Sequence, residues 1–282
     1  MLTLKVAIEE ATASIGRVDA QALITHSLGV DRAYLVANAT RVLTETEDAR
    51  IDMLVAQRSL GHPVAYLTGR REFWSRDFEV GPEVLIPRPE TETLVEAALA
   101  RLVAPGGTSA MGRGPISVLD LGTGSGAIAI TLACERPDVT VTATDESEAA
   151  LAIARANALA HGRAIEFLVG AWYAPVAGRR FDLIASNPPY VAAGDPHLAQ
   201  GDLRFEPAKA LTDGSADGLD SIRAIVSGAP GHLRPGGWLL LEHGYDQAPA
   251  VRRLLEEAGF GHLVSINDFA GIPRVAGGTI AS

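Results

Sequence analysis

Asn187-Pro188-Pro189-Tyr190 ends the apolar run Phe181-Asp182-Leu183-Ile184-Ala185-Ser186, and these residue types suit the handling of a flat NH2 group. An amide nitrogen is a poor nucleophile because its lone pair is delocalised into the carbonyl. The Asn187 side-chain oxygen and the Pro188 backbone carbonyl are two acceptors that can take both N–H bonds. That geometry fixes the nitrogen, favours its pyramidal form and aims the lone pair at an electrophilic carbon. Pro188 and Pro189 lack an N–H and lock φ, which stiffens the loop. Tyr190 can stack on the flat group and attract a neighbouring cation. No strong general base is needed, since the nitrogen becomes acidic once alkylated. The plainer alternative is a proline turn closing a buried strand.

Upstream, the apolar run 116–121 opens into Gly122-Thr123-Gly124-Ser125-Gly126. Glycine at a strand-to-helix turn allows positive φ and close approach of a ligand, and the helix that follows offers free N–H groups. Alone this is a weak signal. Gly122-x-Gly124-x-x-Ala127 also satisfies a dinucleotide pattern, and a tight turn with nothing bound stays open. Asp120, just before the loop, suits the cationic amino group of an amino-acid-bearing cofactor better than a pyrophosphate. Asp145 ends the next strand, where a carboxylate accepts from both ribose hydroxyls or else caps the following helix. Trp172 is either a wall for an adenine or an ordinary buried aromatic. Together, the two loops predict an S-adenosylmethionine-dependent methyltransferase acting on a planar amide or amine nitrogen.

The elements that position these residues follow from periodicity. Strands are predicted at 116–121, 139–144, 165–169, 181–186, 238–242 and 262–267, with a last strand at 275–280 beside the preceding one. Helices are predicted at 127–135, 148–160, 218–228 and 248–258, so the alternation builds a mostly parallel sheet with helices on both faces. The first sixty residues read as a small helical unit: one helix over Leu4, Ala7, Ile8 and Ala11, a second stopping at Gly29, a third at 31–37, and a fourth N-capped by Thr44 and running to about Leu60. His62-Pro63 then breaks the chain. Residues 72–80 read as a hairpin around a Ser75-Arg76-Asp77 turn, a helix is expected at 90–102, and the glycine-rich stretch 105–114 is expected to be a flexible loop. The resulting domains are 1–70, helical; 71–85, a hairpin linker; and 86–282, the α/β domain.

Composition narrows the function classes. The formal net charge is -10, and residues 1–80 hold 9 Lys+Arg against 11 Asp+Glu, so no basic stripe for phosphates is evident. No apolar stretch approaches the ~20 residues of a membrane span, and the N-terminus lacks a secretion-signal pattern. The single cysteine, Cys134, excludes an intramolecular disulfide and fits a reducing, cytoplasmic setting. His161, His197, His232 and His243 show no metal-ligand spacing and read as surface or loop residues, so no metal is expected.

The chain resembles the release factor glutamine methyltransferases (the HemK/PrmC type) over nearly its whole length. The resemblance rests on Pro63-Val64-Ala65-Tyr66-Leu67-Thr68-Gly69, Glu72-Phe73, Phe78, and Val84-Leu85-Ile86-Pro87-Arg88-Pro89-Glu90-Thr91-Glu92. It continues through Asp120 to Gly126, Asn187 to Tyr190, Glu206-Pro207, Asp217-Gly218-Leu219, Glu242-His243-Gly244-Tyr245-Asp246-Gln247 and Asp268-Phe269-Ala270-Gly271. The Pro87-Arg88-Pro89-Glu90 segment is the most specific, because Asn-Pro-Pro-Tyr is shared with adenine methyltransferases of DNA and RNA.

The resemblance implies a Rossmann-like class I S-adenosylmethionine-dependent methyltransferase sheet, with a small N-terminal helical domain joined by a β-hairpin. It further implies N5-methylation of the glutamine in the Gly-Gly-Gln motif of peptide chain release factors, with S-adenosyl-L-homocysteine as product. Cofactor positions carry over to Gly122, Thr123, Gly124, Ser125, Gly126, Asp145, Trp172 and Asn187. Catalytic and substrate positions carry over to Asn187, Pro188, Pro189 and Tyr190. Two departures are visible: Phe205 stands where tyrosine is expected, and the loop 212–216 is slightly long.

Three other readings compete. An adenine-N6 methyltransferase would use the same loop on an exocyclic NH2, but the acidic charge and the lack of a basic insert oppose it, so no direct nucleic-acid partner is expected. A non-catalytic adaptor is disfavoured because no motif position is damaged. A dehydrogenase would leave Asn187 to Tyr190 idle.

Overall fold

The computed structural model describes residues 2–102 and 115–280; the loop expected at 105–114 lies outside the described residues. The chain divides into two compact units, Met1–Arg70 with Ala199–Phe205, and Arg71–Leu198 with Glu206–Ser282.

The first unit holds α1 (Leu4–Ile15), α2 (Arg17–Leu28), α3 (Arg32–Ala37), α4 (Glu45–Ser59) and α5 (Val64–Thr68). Gly16, at φ +82°, separates α1 from α2, and Gly29 ends α2 in the left-handed region. Asp31 caps α3 by accepting from the Tyr34 N–H. Thr44 and Glu47 form a reciprocal capping box at the start of α4, as the sequence predicts. Leu4, Ala7, Ala11, Ile24, Leu35 and Ile51 make its core. The short α5, which propensity alone does not reveal, uses Pro63 as its N-cap. Residues 199–205 are tied to this unit by Arg58, which donates to Asp19 at 2.6 Å and to Asp202 at 2.7 Å. Phe205 packs on the His62 ring at 4.3 Å.

The second unit opens with a hairpin, β1 (Arg70–Phe73) and β2 (Arg76–Glu79). Its turn is Trp74-Ser75, both at positive φ, so Arg76 and Asp77 lie in the strand and not in the turn as expected. Phe73 and Phe78 are buried in the unit's main core. A 3-10 turn, Pro89–Thr91, leads into α6 (Glu92–Arg101). Then come β3 (Ser117–Leu121), α7 (Ala127–Glu135), β4 (Thr140–Asp145), α8 (Glu148–Ala160), β5 (Glu166–Val169) and β6 (Phe181–Ser186). The chain continues through α9 (Ala208–Leu211), α10 (Asp220–His232), β7 (Leu233–Glu242), α11 (Ala248–Glu257), β8 (Phe260–Asn267) and β9 (Pro273–Ile280). β7 starts earlier than predicted because Leu233 pairs with Phe181 across an irregularity, with Gly236 at φ +74°.

The strand order is β5-β4-β3-β6-β7-β9-β8, parallel from β5 to β7 and antiparallel at β9 and β8. The period of two decides which helices each face carries. Val118, Leu183, Ala185 and Leu240 point to the core under α6 and α7. Leu119, Leu121, Ile184, Leu239 and Leu241 point to the core under α10 and α11. From β3 the chain winds outward to β4 and later inward to β6, so the order reverses between β3 and β6. Crevices in open α/β sheets form outside the strands' carboxyl ends at such a reversal. The loops after β3 and β6 carry the two predicted motifs.

Candidate active site

The glycine loop is held from the neighbouring strand. The N–H groups of Gly122 and Thr123 both donate to the Thr144 carbonyl, at 2.9 and 3.0 Å. Gly124 is at φ +54°, and a Cβ there would meet no protein atom within 4 Å. It would instead project into open space, so the bare backbone leaves room for a ligand. Gly126 has a different reason to be glycine: it is at φ +85°, and a Cβ would crowd Ile130 and Ala154.

Asp145 ties the loop to the next helix. Its Oδ2 accepts from the Gly124 N–H and its Oδ1 from the Ser147 N–H, both at 2.9 Å. Ser147, not Asp145, caps α8. Burial raises the Asp145 pKa, against backbone hydrogen bonds from Ser147, Gly124 and Glu146 that oppose the shift. Each carboxylate oxygen keeps acceptor capacity for a hydroxyl. Asp120 does not face the cleft as its sequence position suggests. It is fully buried, accepts from the Thr123 hydroxyl at 2.6 Å, and is pushed up to about 7 by desolvation. Its role is under the loop, where it fixes Thr123.

The second motif sits on a buried polar network. Asn187 Nδ2 donates to Thr91 Oγ1 at 3.1 Å, and Oε2 of the buried Glu242 carboxyl group has no hydrogen-bond partner among the described residues. The Tyr190 hydroxyl donates to Glu242 Oε1 at 3.0 Å. Gln247 Nε2 donates to the Tyr190 carbonyl at 2.9 Å, while Gln247 Oε1 accepts from the Gly244 N–H at 2.8 Å. Glu242 is raised to about 7 by desolvation, against the Tyr190 hydrogen bond and the nearby Thr91 hydroxyl. Burial also raises Tyr190, with the Glu242 charge adding to the effect. His243, read as a surface or loop residue, is fully buried; burial lowers its pKa, and its Nδ1 lies 2.8 Å from the Gly244 carbonyl.

A cleft of about 590 Å³ in the second unit joins the two motifs, within the range of small-molecule sites. Gly122, Thr123, Gly124, Ser125, Asp145, Trp172, Asn187 and Pro189 line it. Gly126, Pro188 and Tyr190 do not: Gly126 packs into α7, Pro188 is buried, and the Tyr190 hydroxyl turns to Glu242. Trp172 adopts φ +45°, and Thr144 Oγ1 donates to its carbonyl at 3.2 Å, which holds it beside the glycine loop.

Sequence reasoning assigned no role to Thr91, Arg88, Glu206, Glu242 or Gln247. Arg88 pairs with the buried Glu206, which also accepts from the Ile86 N–H at 3.0 Å and so fixes the cleft wall at 85–88. All five lie in segments that carry the family resemblance, yet their partners are remote in sequence. The signal was present without its geometry.

Two family models match the chain, one described as the PrmC N-terminal domain at residues 4–69 and one as the Methyltransferase small domain at residues 113–214. A protein of Xylella fastidiosa named release factor glutamine methyltransferase is 54% identical over 269 residues, covering 95% of this chain and 94% of the relative. One of the same name from Burkholderia pseudomallei is 50% identical, covering 93% of this chain and 92% of the relative. A solved methyltransferase from Pyrococcus furiosus superposes with a TM-score of 0.53 at 19% identity, over 80% of this chain and 98% of that one, which shows the shared fold. With such identity along almost its full length, the chain belongs to the release factor glutamine methyltransferase family.

Proposed function

We propose that this protein methylates the side-chain amide nitrogen of the glutamine in the Gly-Gly-Gln motif of peptide chain release factors, using S-adenosyl-L-methionine. The observation that carries this reading is the placement of Asn187 and Asp145 on one cleft, with the Asn187 NH2 already engaged by Thr91. Its side-chain oxygen is left as the acceptor for an incoming amide.

The residues present fit the cofactor. Asp145 has acceptor capacity for ribose hydroxyls, the space over Gly124 is open, and Trp172 offers an aromatic wall for a purine. When bound, S-adenosylmethionine supplies an electrophilic methyl carbon and leaves as S-adenosylhomocysteine. Asn187 Oδ1 accepts one N–H of the glutamine amide, which orients the nitrogen lone pair. Pro189, at the cleft wall, limits the approach to one flat face. The glutamine nitrogen gives up a proton to solvent after methylation, so the site needs no strong base.

The helical domain 1–70 is proposed to recognise the protein substrate, because a Gly-Gly-Gln tip offers little side-chain surface and a specific interface needs about 800 Å² per partner. Among the described residues no helix is long and apolar enough to cross a membrane. The proposed setting is the cytoplasm, where translation terminates.

The test is transfer of labelled methyl from S-adenosylmethionine to a release factor, its Gln→Ala variant and DNA. Label on the first alone is the expected result. Label on the variant would move the target off that glutamine, and label on DNA would favour the adenine-N6 alternative.

A further inference from the structure

Two loops of the second unit hold large apolar side chains in solvent at the sheet edge that carries the candidate site. Tyr245 is 68% exposed, Phe269 78% and Ile272 39%. Tyr245 follows β7, while Phe269 and Ile272 lie in the turn that joins β8 to β9. β7 is parallel to β6, and β8 runs the same way because β7 and β8 are both antiparallel to β9. Both loops therefore leave the sheet at the edge where Asn187 follows β6. Neighbouring strands are about 4.8 Å apart, so β6 and β8, three spacings away, are separated by about 15 Å along that edge. Hydrogen bonds fix both loops. The Asp268 carboxylate accepts from the Ala270 and Ile272 N–H groups at 2.9 and 3.0 Å and pairs with Arg274 at 3.3 Å. Arg274 Nη1 also donates to the His243 carbonyl at 3.4 Å, which joins one loop to the other. Gln247 Nε2 donates to the Tyr190 carbonyl at 2.9 Å, so the same frame reaches the loop that begins at Asn187. Aromatic rings held on a fixed frame lose little entropy on binding and are enriched at the energetic centres of protein interfaces.

We propose that Tyr245, Phe269 and Ile272 form a docking platform for the release-factor main chain that flanks the target glutamine. The proposal rests on the glutamine-methylation reading above and deepens it, by naming a protein-binding surface on the catalytic domain. Three observations select this occupant. The platform is tied to the Asn187–Tyr190 loop through Gln247, so a chain whose glutamine reaches Asn187 has its flanks within reach of the rings. A Gly-Gly pair offers no side chain to recognise, and a flat ring face packs on bare backbone without one. Neither loop contains a lysine or arginine, Asp246 is exposed, and the adjacent Arg274 is engaged by Asp268. The platform thus lacks the free cations that a phosphate backbone requires, and a protein segment fits it better than a nucleic-acid strand.

The experiment compares the double variant Tyr245→Ala/Phe269→Ala with the wild-type protein, with Tyr245→Phe, and with Leu159→Ala, which truncates an 82% exposed side chain on α8. Readouts are kcat and KM for methyl transfer to an intact release factor, S-adenosylmethionine affinity by calorimetry, molar mass by light scattering, and binding of DNA and RNA. The double variant is expected to raise KM about tenfold or more, with kcat and cofactor affinity within about twofold, because the rings touch the flanks and not the reacting nitrogen. Its melting temperature should stay close to wild type, since both side chains are exposed. Tyr245→Phe keeps the ring and Leu159→Ala leaves the platform intact, so both are expected to keep the wild-type KM. A double variant with unchanged KM, against a wild-type protein that labels the release factor, overturns the platform and leaves the functional reading standing. A wild-type protein that labels no release factor sinks that reading and the platform with it. A wild-type dimer that the double variant splits would make a second copy the occupant, and loss of DNA or RNA binding in the variant would make it a nucleic acid. Either result overturns the proposal.

Discussion

Asp145 joins the glycine loop to α8, its Oδ2 accepting from Gly124 N–H and its Oδ1 from Ser147 N–H, each at 2.9 Å. The residue proposed to hold the ribose therefore also shapes the loop that receives the rest of the cofactor. Asp145→Ala removes both, whereas Asp145→Asn keeps one acceptor. Asp145→Ala is expected to lose roughly 1.5–3 kcal/mol of S-adenosylmethionine affinity, and Asp145→Asn less. Calorimetry giving equal affinity for Asp145→Ala and the wild-type protein would remove Asp145 from the site.

Asn187→Ala should leave cofactor binding and thermal stability close to wild type and cut turnover by roughly 10²-fold or more, because it removes an acceptor that positions the reacting NH2. The residue lines the cleft and is only partly buried, so truncation costs little packing. Near-normal kcat from a folded Asn187→Ala protein is the outcome that rejects the mechanism.

Gly218 offers a test of the loop from behind. It is at φ +66°, and a Cβ there would overlap the Tyr190 carbonyl, the acceptor for Gln247 Nε2. Gly218→Ala must displace the loop that begins at Asn187 or break its tie to Gln247. The expected result is a lower melting temperature, from a backbone cost of about 1 kcal/mol or more, together with reduced kcat at unchanged cofactor affinity. Full activity in this variant would show that the loop's position is not critical.

Much of this molecule was legible before the structure, for reasons that differ between its parts. The sheet was readable because β3, β6 and β7 are buried on both faces and therefore appear as short continuous apolar runs. The capping box of α4 was readable because Thr44 and Glu47 are three residues apart. What stayed hidden depends on distant partners. Asn187 and Thr91 are 96 residues apart, Tyr190 and Glu242 52, and Arg58 and Asp202 144. The hairpin turn was misplaced because Trp74 and Ser75 adopt positive φ without glycine, a conformation that propensity argues against. Asp120 was misassigned because a position beside a loop does not reveal the direction of its side chain.

The pH dependence of stability tests the burial of Glu242. Its folded pKa is raised to about 7 from an ordinary carboxylate value of 4.5, chiefly by desolvation. Between those two values the folded protein holds a proton that the unfolded chain has released. Stability therefore falls as pH rises through this window, by at most about 1.4 kcal/mol per pH unit, and flattens above it. The groups facing Glu242 are the Thr91 and Tyr190 hydroxyls, the Arg274 guanidinium and the Glu90 carboxylate; the first three favour its charged form and Glu90 opposes it. Asp120, also raised to about 7, adds a contribution of the same sign, and His243, lowered by burial, adds the opposite one. Both are present in wild type and in Glu242→Gln, so the difference between the two proteins isolates Glu242 to the extent that the sites are independent. The wild-type melting temperature minus that of Glu242→Gln should decline from pH 5 to about pH 7 and then level off. A difference that stays flat, or that grows with pH, would mean that Glu242 is neither desolvated nor raised.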